Sequence, residues 1–356
     1  MLGDLKRYPI LKNDPLRAWD AADELLIQEV HSLDPSSKRI LVLNDSFGAI
    51  SCSLKAYSPT VYTDSFLSYK ATLLNSNNEI IPLFDLSSLR GSFDLVVMRI
   101  PKNLSFLEEI LSSLSQLMTT NALLICTAMV KHLPSSAFPM LEKYIGPIRT
   151  SLAQKKARLI FSSFEKNPVT NPYPKSIELE GFEKSFFHYS NLFSREKLDV
   201  GTRFFLEHVS KGLTGTILDL GCANGIIGIK AKLQNPQSKI IFTDESHMAI
   251  QSAKMNYHQF FQDEASFIWS NCFEDGEDKS IDFILCNPPF HAQHVVGDFI
   301  AKEMFRHSKR VLKNSGKILV IGNRHLGYQQ TLKNYFSVVR LIAENSKFVI
   351  LEARLK

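Results

Sequence analysis

Residues Thr216-Ile-Leu-Asp-Leu220 form a short apolar run broken by a single acid, and the run leads directly into Gly221-Cys-Ala-Asn-Gly225. A run of this length bounded by turn residues reads as a buried strand. The two glycines mark a tight turn, because glycine adopts positive φ without a Cβ clash. A helical pattern follows from Ile226. Strand, glycine turn and helix in this order belong to a parallel α/β sheet, not to an all-α or all-β core. Asp219 then stands at the carboxyl end of a strand, where open α/β sheets hold their ligands.

The same alternation continues downstream. Lys239–Thr243 is predicted as the next strand, with the acidic pair Asp244-Glu245 at its end and a helix over Met248–Tyr257. Phe267–Asn271 and Ile281–Cys286 are predicted as the third and fourth strands, and Lys317–Ile321 and Lys347–Leu351 as later ones. The first half repeats this order in weaker form. Arg39–Leu43 precedes the turn Asn44-Asp-Ser-Phe-Gly48, Thr60–Thr63 precedes Asp64-Ser65, and Asp94–Met98 runs into Arg99-Ile-Pro-Lys102. Strand-turn, strand-acid and strand-proline landmarks recurring at similar offsets point to an internal duplication at domain scale.

At 356 residues the chain exceeds one ordinary core, so two domains are expected. The break falls in Lys166-Asn-Pro-Val-Thr-Asn-Pro-Tyr-Pro-Lys175, whose three prolines exclude a helix or a central strand. The expected organisation is a first domain over 1–165, a linker over 166–176 and a second domain over 177–356. No apolar run approaches the ~18 residues of a membrane span, and the N-terminus lacks a signal-peptide core, so a cytoplasmic protein is expected. Five scattered cysteines without a CxxC pair argue against a disulfide framework or structural zinc. A net charge of +5 permits an RNA partner without demanding one.

Asn287-Pro-Pro-Phe290 follows the predicted strand ending at Cys286 and carries the most specific chemistry. An exocyclic amine on a nucleic-acid base is a poor nucleophile, because its lone pair is delocalised into the ring. The Asn287 amide oxygen and the Pro288 carbonyl are placed to accept its two N–H bonds and direct the lone pair at a sulfonium methyl. Pro288 and Pro289 stiffen the loop, and Phe290 offers a face for an extruded base, worth ~1–3 kcal/mol. Asp219 suits an amino-acid ammonium, Asp244 a pair of ribose hydroxyls, and Asn271, at the end of the third strand, an adenine edge. Each alone is an ordinary strand-end residue; their order along successive strands is what counts. His291 and His294 lack a third metal ligand, so no metal is expected. Asn323-Arg-His325 is a candidate phosphate contact or a plain strand-to-helix turn. Lys155, Lys156 and Arg158 read as a solvated face.

Together Asp219-Leu-Gly-Cys with Gly225, Asp244-Glu-Ser and Asn287-Pro-Pro-Phe-His291 resemble the bacterial ribosomal RNA guanine-N2 methyltransferases. In the N-terminal half, Pro15–Glu24, Leu43–Ala49 and Lys156-Ala-Arg-Leu159 are similar to the large-subunit type, RlmG, more than to the small-subunit type, RsmC. The resemblance implies two tandem Rossmann-like methyltransferase domains, the first degenerate, with S-adenosylmethionine as cofactor and large-subunit ribosomal RNA as partner. It places the cofactor against Asp219, Gly221, Ala223, Gly225, Asp244, Glu245, Asn271, Cys272 and Asn287, with Phe193 and Thr202 in a lead-in segment that closes over it. Ala223 replaces the usual glycine, a change expected to cost little. In the first half Asn44-Asp-Ser-Phe47 and Arg99-Ile-Pro-Lys102 replace the working motifs. Arg99 and Lys102 cannot accept hydrogen bonds from an amine, so that half is expected to be catalytically dead and to grip RNA, with both cations as candidates for phosphate. Adenine-N6 or protein-glutamine methylation, 16S ribosomal RNA as substrate, and a non-catalytic RNA-binding factor remain open at this level.

Overall fold

The computed structural model describes residues 2–11, 15–192, 198–289 and 294–356, with 294–298 described by backbone alone. The chain divides into two compact units, Met1–Tyr173 and Pro174–Lys356. The second unit is built on strands that the sequence marks by short apolar runs. In the first unit the strands are β1 (Ile40–Leu43), β2 (Thr60–Tyr62), β3 (Phe93–Arg99), β4 (Met118–Met129), β5 (Ile148–Thr150) and β6 (Ala157–Ser163). Its helices are α1 (Ala21–Ser32), α2 (Ala49–Ser53), α3 (Phe66–Asn75), α4 (Leu104–Leu114) and α5 (Ala137–Tyr144).

The second unit opens with a hairpin, β7 (Lys175–Ile177) and β8 (Phe186–His188), and helix α6 (Val200–Leu206). Then come β9 (Thr216–Leu220), α7 (Ile226–Gln234), β10 (Lys239–Asp244), α8 (His247–Phe260), β11 (Ser266–Trp269) and β12 (Ile281–Cys286). The chain closes with α9 (His294–Val311), β13 (Leu312–Asn323), α10 (Tyr328–Leu332), β14 (Val338–Glu344) and β15 (Phe348–Arg354). The third strand ends at Trp269, so Asn271 lies two residues beyond it, in a turn where Cys272 and Phe273 take φ of +49° and +62°.

The seven-stranded sheet has the order β11-β10-β9-β12-β13-β15-β14, with all strands parallel except β15, which runs antiparallel to both its neighbours. Its central strands are buried on both faces. Ile217 and Leu285 join one apolar cluster, while Leu218, Leu220, Ile284 and Cys286 join the other. That two-sided burial is why these strands read as continuous apolar runs and not as alternating ones. From β9 the chain winds outward to β10 on one side, and β12 pairs on the other, so the crevice lies at the carboxyl ends of β9, β10 and β12.

The first unit has the order β2-β1-β3-β4-β6-β5, the same sequence of strands with one edge strand missing. An isolated parallel bridge, Tyr62–Leu83, stands where that strand would pair. Both sheets also carry a register shift at the start of the same central pair, between Phe93 and Leu95 and between Ile281 and Phe283. Shared order and shared irregularity support the duplication expected from the sequence. The two units are tandem methyltransferase-like α/β domains.

The proline-rich stretch is bound to the first unit through α4 and the turn that follows it. The Val169 N–H donates to Ser115 Oγ (2.9 Å), Gln116 Nε2 to the Val169 carbonyl (2.8 Å) and the Tyr173 hydroxyl to Glu108 (3.1 Å). Among the described residues no helix is long and apolar enough to cross a membrane.

Candidate active site

Two carboxylates sit at adjacent strand ends in the second unit. Asp219 is 1% exposed, and its Oδ2 accepts the Gly228 N–H at 2.8 Å. Burial pushes its carboxyl up to about 7, the Gly228 N–H opposing and nearby Asp244 adding to the rise. Asp244 accepts the N–H groups of Ala223 (2.9 Å) and Ser246 (3.0 Å). Burial raises its pKa too, those backbone bonds holding it back. An acid kept from solvent with little compensating charge is poised for a cation, and one flanked by a loop suits vicinal hydroxyls.

The glycine turn sets these positions. Gly221 and Gly225 take φ of +77° and +82°, and Gly225 is the N-cap of α7. Ala223 takes φ +48°, which turns its N–H to Asp244. The alanine is therefore not free: a left-handed backbone costs an L-residue about 1–2 kcal/mol. A Cβ on Gly228 would come 2.3 Å from Phe242 Cε1 and 3.0 Å from Asp219 Oδ2. Phe242 cannot give way, being fully buried and stacked on Phe267 with centroids 5.1 Å apart. Gly228→Ala is expected to cost about 1–3 kcal/mol and to weaken cofactor binding with it, as thermal melting and calorimetric titration will read.

Asn287 is the first residue beyond β12. Its Nδ2 donates to Thr202 Oγ1 on α6 at 3.1 Å, while its Oδ1 is buried without a hydrogen-bond partner among the described residues. Pro288 is buried and Pro289 exposed. Phe290 and Phe193 lie outside the described residues, as does His291. Glu245 takes the Trp269 indole N–H on its backbone carbonyl (2.8 Å), and Asn271, 8% exposed, donates to Glu274 (3.1 Å). Burial pushes the Cys272 thiol up to about 12, with Glu303, Glu274 and Glu245 reinforcing. Asp219, Asp244 and Asn287 thus meet around the ends of β9, β10 and β12. Sequence reading missed two features here: the anchoring of Asn287 by Thr202, and Ser270, buried beside Asp244 with its Oγ unpartnered among the described residues. Neither belongs to a motif of fixed spacing. Among the described residues no cluster of three metal-ligating side chains occurs. Arg324, a candidate for phosphate, pairs with Glu344 at 2.9 Å.

The first unit shows what the site becomes when it is abandoned. Leu43 pairs with Met98 as Leu220 pairs with Cys286, and Gly48 (φ +79°) caps α2 as Gly225 caps α7. This register puts Val42 level with Asp219, Thr63 with Asp244 and Arg99 with Asn287. Neither position keeps the carboxylate found in the second unit. Arg99 is not available to phosphate as expected: its guanidinium is bound to Asp20 at 2.9 Å and to Asp23. A further acid, Asp45, is fully buried and accepts the N–H and hydroxyl of Ser51, both at 2.8 Å. Burial raises Asp45, and raises Asp23 against the pull of Arg99. An ion pair cluster thus stands at the end of β3, where the second unit has Asn287.

The RLMG N-terminal domain model matches residues 3–166, and the Methyltransferase small domain model matches residues 183–352. The ribosomal RNA large subunit methyltransferase G of Pseudomonas putida (strain W619) is 43% identical, over 99% of this chain and 97% of its own. The protein chain belongs to this methyltransferase family. That of Stutzerimonas stutzeri (strain A1501) is 42% identical over 98% of this chain and 96% of its own. Among solved structures, the T. thermophilus 16S rRNA N2 G1207 methyltransferase, RsmC, in complex with AdoMet and guanosine, has the same fold. Its TM-score is 0.79 at 19% identity, covering 95% of this chain and 92% of that one. The family's methyl donor is S-adenosylmethionine, and the buried acid at Asp219 and the double acceptor at Asp244 fit its ammonium and ribose.

Proposed function

We propose that this protein transfers a methyl group from S-adenosylmethionine to the exocyclic N2 of a guanosine in 23S ribosomal RNA, in the cytoplasm. The observation that carries the reading is Asn287 Oδ1, a buried acceptor left without a partner one residue beyond β12, beside two strand-end carboxylates. Bound there, the cofactor supplies an electrophilic methyl on sulfur. Asn287 Oδ1 and the Pro288 carbonyl accept the two N–H bonds of the base amine and hold its lone pair toward that methyl. That methyl would pass from the cofactor's sulfur to the amine nitrogen, the S–C bond giving way to the N–C bond, and the amine's proton would go to water. Asp219 holds the ammonium, Asp244 the ribose, and Asn271, Glu245, Cys272 and the glycine turn line the adenosine.

The first unit has lost its cofactor acids and serves to position RNA. Lys102 and Lys131 are exposed at the carboxyl ends of β3 and β4, next to His132. Burial, then these two lysines, lower the histidine's pKa, with Asp20 opposing. The large-subunit substrate is supported by the names of relatives along nearly the whole chain, and guanine N2 by the likeness to RsmC, which was solved with AdoMet and guanosine.

Methyl transfer from labelled cofactor to undermethylated ribosomal RNA, followed by nucleoside digestion, tests this. N2-methylguanosine from 23S RNA is expected, and label in another nucleoside or in 16S RNA alone would overturn it. Asn287→Ala is expected to lower kcat at least a hundredfold, about 3 kcal/mol of transition-state stabilisation, with cofactor affinity near the parent's. A variant as fast as the parent would remove Asn287 from the mechanism.

A further inference from the structure

An asparagine amide has two ends of equal size and opposite polarity. For the reaction above, Oδ1 must face the base amine; an Nδ2 facing it would set donor against donor. The strand and the prolines fix where Asn287 stands but not which way its amide is turned. Thr202 Oγ1 lies 3.1 Å from Nδ2 and accepts a hydrogen bond from it. The other end of the amide, Oδ1, is then left buried and without a hydrogen-bond partner among the described residues.

Thr202 is itself held firmly. It is 6% exposed and is the third residue of α6, where its N–H donates to the N-cap carboxylate of Asp199 at 3.0 Å. The preceding Gly201 leaves no room for a shift, since a Cβ there would come 3.0 Å from the Phe348 ring and 2.9 Å from Asp199 Oδ2. Phe348 is 2% exposed and belongs to the apolar cluster beneath α6. The hydroxyl is therefore held on a fixed helix turn, where it accepts from the Asn287 amide nitrogen.

The first unit repeats the device with other residues. Asp20 is the N-cap of α1 and Asp23 its third residue, as Asp199 and Thr202 are for α6. Asp23 binds Arg99, the residue level with Asn287. In both units the third residue of the preceding helix grips the residue at the end of the central strand, Arg99 as the last of β3 and Asn287 as the first beyond β12. One copy has turned that grip into an ion pair, and the other keeps a neutral acceptor that leaves the amide oxygen free.

We propose that Thr202 is the positioning residue for Asn287: its hydroxyl oxygen anchors the amide nitrogen and so turns the amide oxygen toward the substrate amine. The inference rests on the proposed methyl transfer and assigns Thr202 to Asn287 in place of a direct contact with the cofactor.

The test uses the full-length protein with Thr202→Val and Thr202→Ser, ribosomal RNA as substrate, and three readouts: kcat, cofactor affinity by calorimetry, and proton exchange of the Asn287 side-chain NH2 by NMR. The resonance is assigned by its loss in Asn287→Ser. Thr202→Val is expected to lower kcat about tenfold, to leave cofactor affinity within twofold, and to speed NH2 exchange about tenfold. Thr202→Ser is expected to restore kcat and the NH2 exchange rate, with cofactor affinity again near the parent's. A kcat unchanged in Thr202→Val, or a loss of cofactor affinity with kcat intact at saturation, would overturn the proposal. So would NH2 exchange as slow in Thr202→Val as in the parent. If the parent itself methylates no RNA, the methyl-transfer reading fails, and the exchange rates still decide whether Thr202 anchors the amide.

Discussion

Arg99→Ala is expected to destabilise the first unit by about 3–5 kcal/mol at pH 8 and by distinctly less at pH 5. Three carboxylates surround this guanidinium. Asp20 and Asp23 bond to it, and the fully buried Asp45 feels its charge. Asp23 is 3% exposed and Asp45 2%, so neither can turn to water when the cation is removed. What remains is acid without a counter-charge in an apolar pocket, and ionisation there is penalised by desolvation. The pH dependence has a definite sign. Carboxyls whose folded pKa lies above the unfolded value give their full stability at low pH and lose it as pH rises through the folded value. Truncation of Arg99 raises all three, so the deficit grows from pH 5 to pH 8. The two tryptophans lie one in each unit, Trp19 and Trp269. Denaturant unfolding followed by Trp19 fluorescence in a Trp269→Phe background isolates the first unit. A deficit below 1 kcal/mol, or one that is flat with pH, would show that the cluster does not hold the abandoned site together. Replacing Arg99 by methionine together with Asp20→Asn and Asp23→Asn should recover most of the loss, because the cost lies in the orphaned charge.

The contrast between the units also explains what could be read from sequence. Strands β9 and β12 were legible because both faces are buried, which leaves unbroken apolar runs ending in a turn signal. The glycines at 221 and 225 were legible because their backbone demands positive φ. Strand β14 was not foreseen: it is an edge strand with Leu341 and Ile342 about half exposed, so no apolar period survives. Asn271 was placed on a strand that stops at Trp269, since a turn built on left-handed Cys272 and Phe273 carries no glycine to announce it. In the first half Asp64 looked like the partner of Asp244, yet the strand register levels Thr63 with it. Motif spacing alone cannot detect a one-residue offset of this kind. The role of Arg99 was misjudged for a related reason. Its partners Asp20 and Asp23 lie more than seventy residues away in the chain, and only the fold brings them to it.

Asp219→Asn is expected to make the second unit more stable at pH 8 while abolishing its hold on the cofactor. The Asp219 carboxyl titrates at about 7 in the folded chain, against an ordinary value of 3.8. Its neutral form therefore stabilises fully below the ordinary value, and that contribution is lost as pH rises through 7. At pH 8 the ionised group works against folding by up to about 4 kcal/mol. Asparagine has the same shape, keeps an oxygen for the Gly228 N–H and carries no charge to desolvate. Trp269 fluorescence in a Trp19→Phe background should show melting raised by several degrees at pH 8 and unchanged at pH 4, since ~1 kcal/mol moves a unit of this size by about 2–4 °C. The same substitution removes the counter-charge of the ammonium group, and cofactor affinity should fall at least a hundredfold. In the parent, affinity should climb between pH 5 and pH 7 as the carboxylate ionises, then level off. Melting at or below that of the parent at pH 8 would contradict the burial argument. Cofactor binding within threefold of the parent would mean that Asp219 is not the ammonium's partner. The two expected outcomes together describe a trade at this strand end: a charge the fold would be better without, and a charged form that the proposed ligand needs.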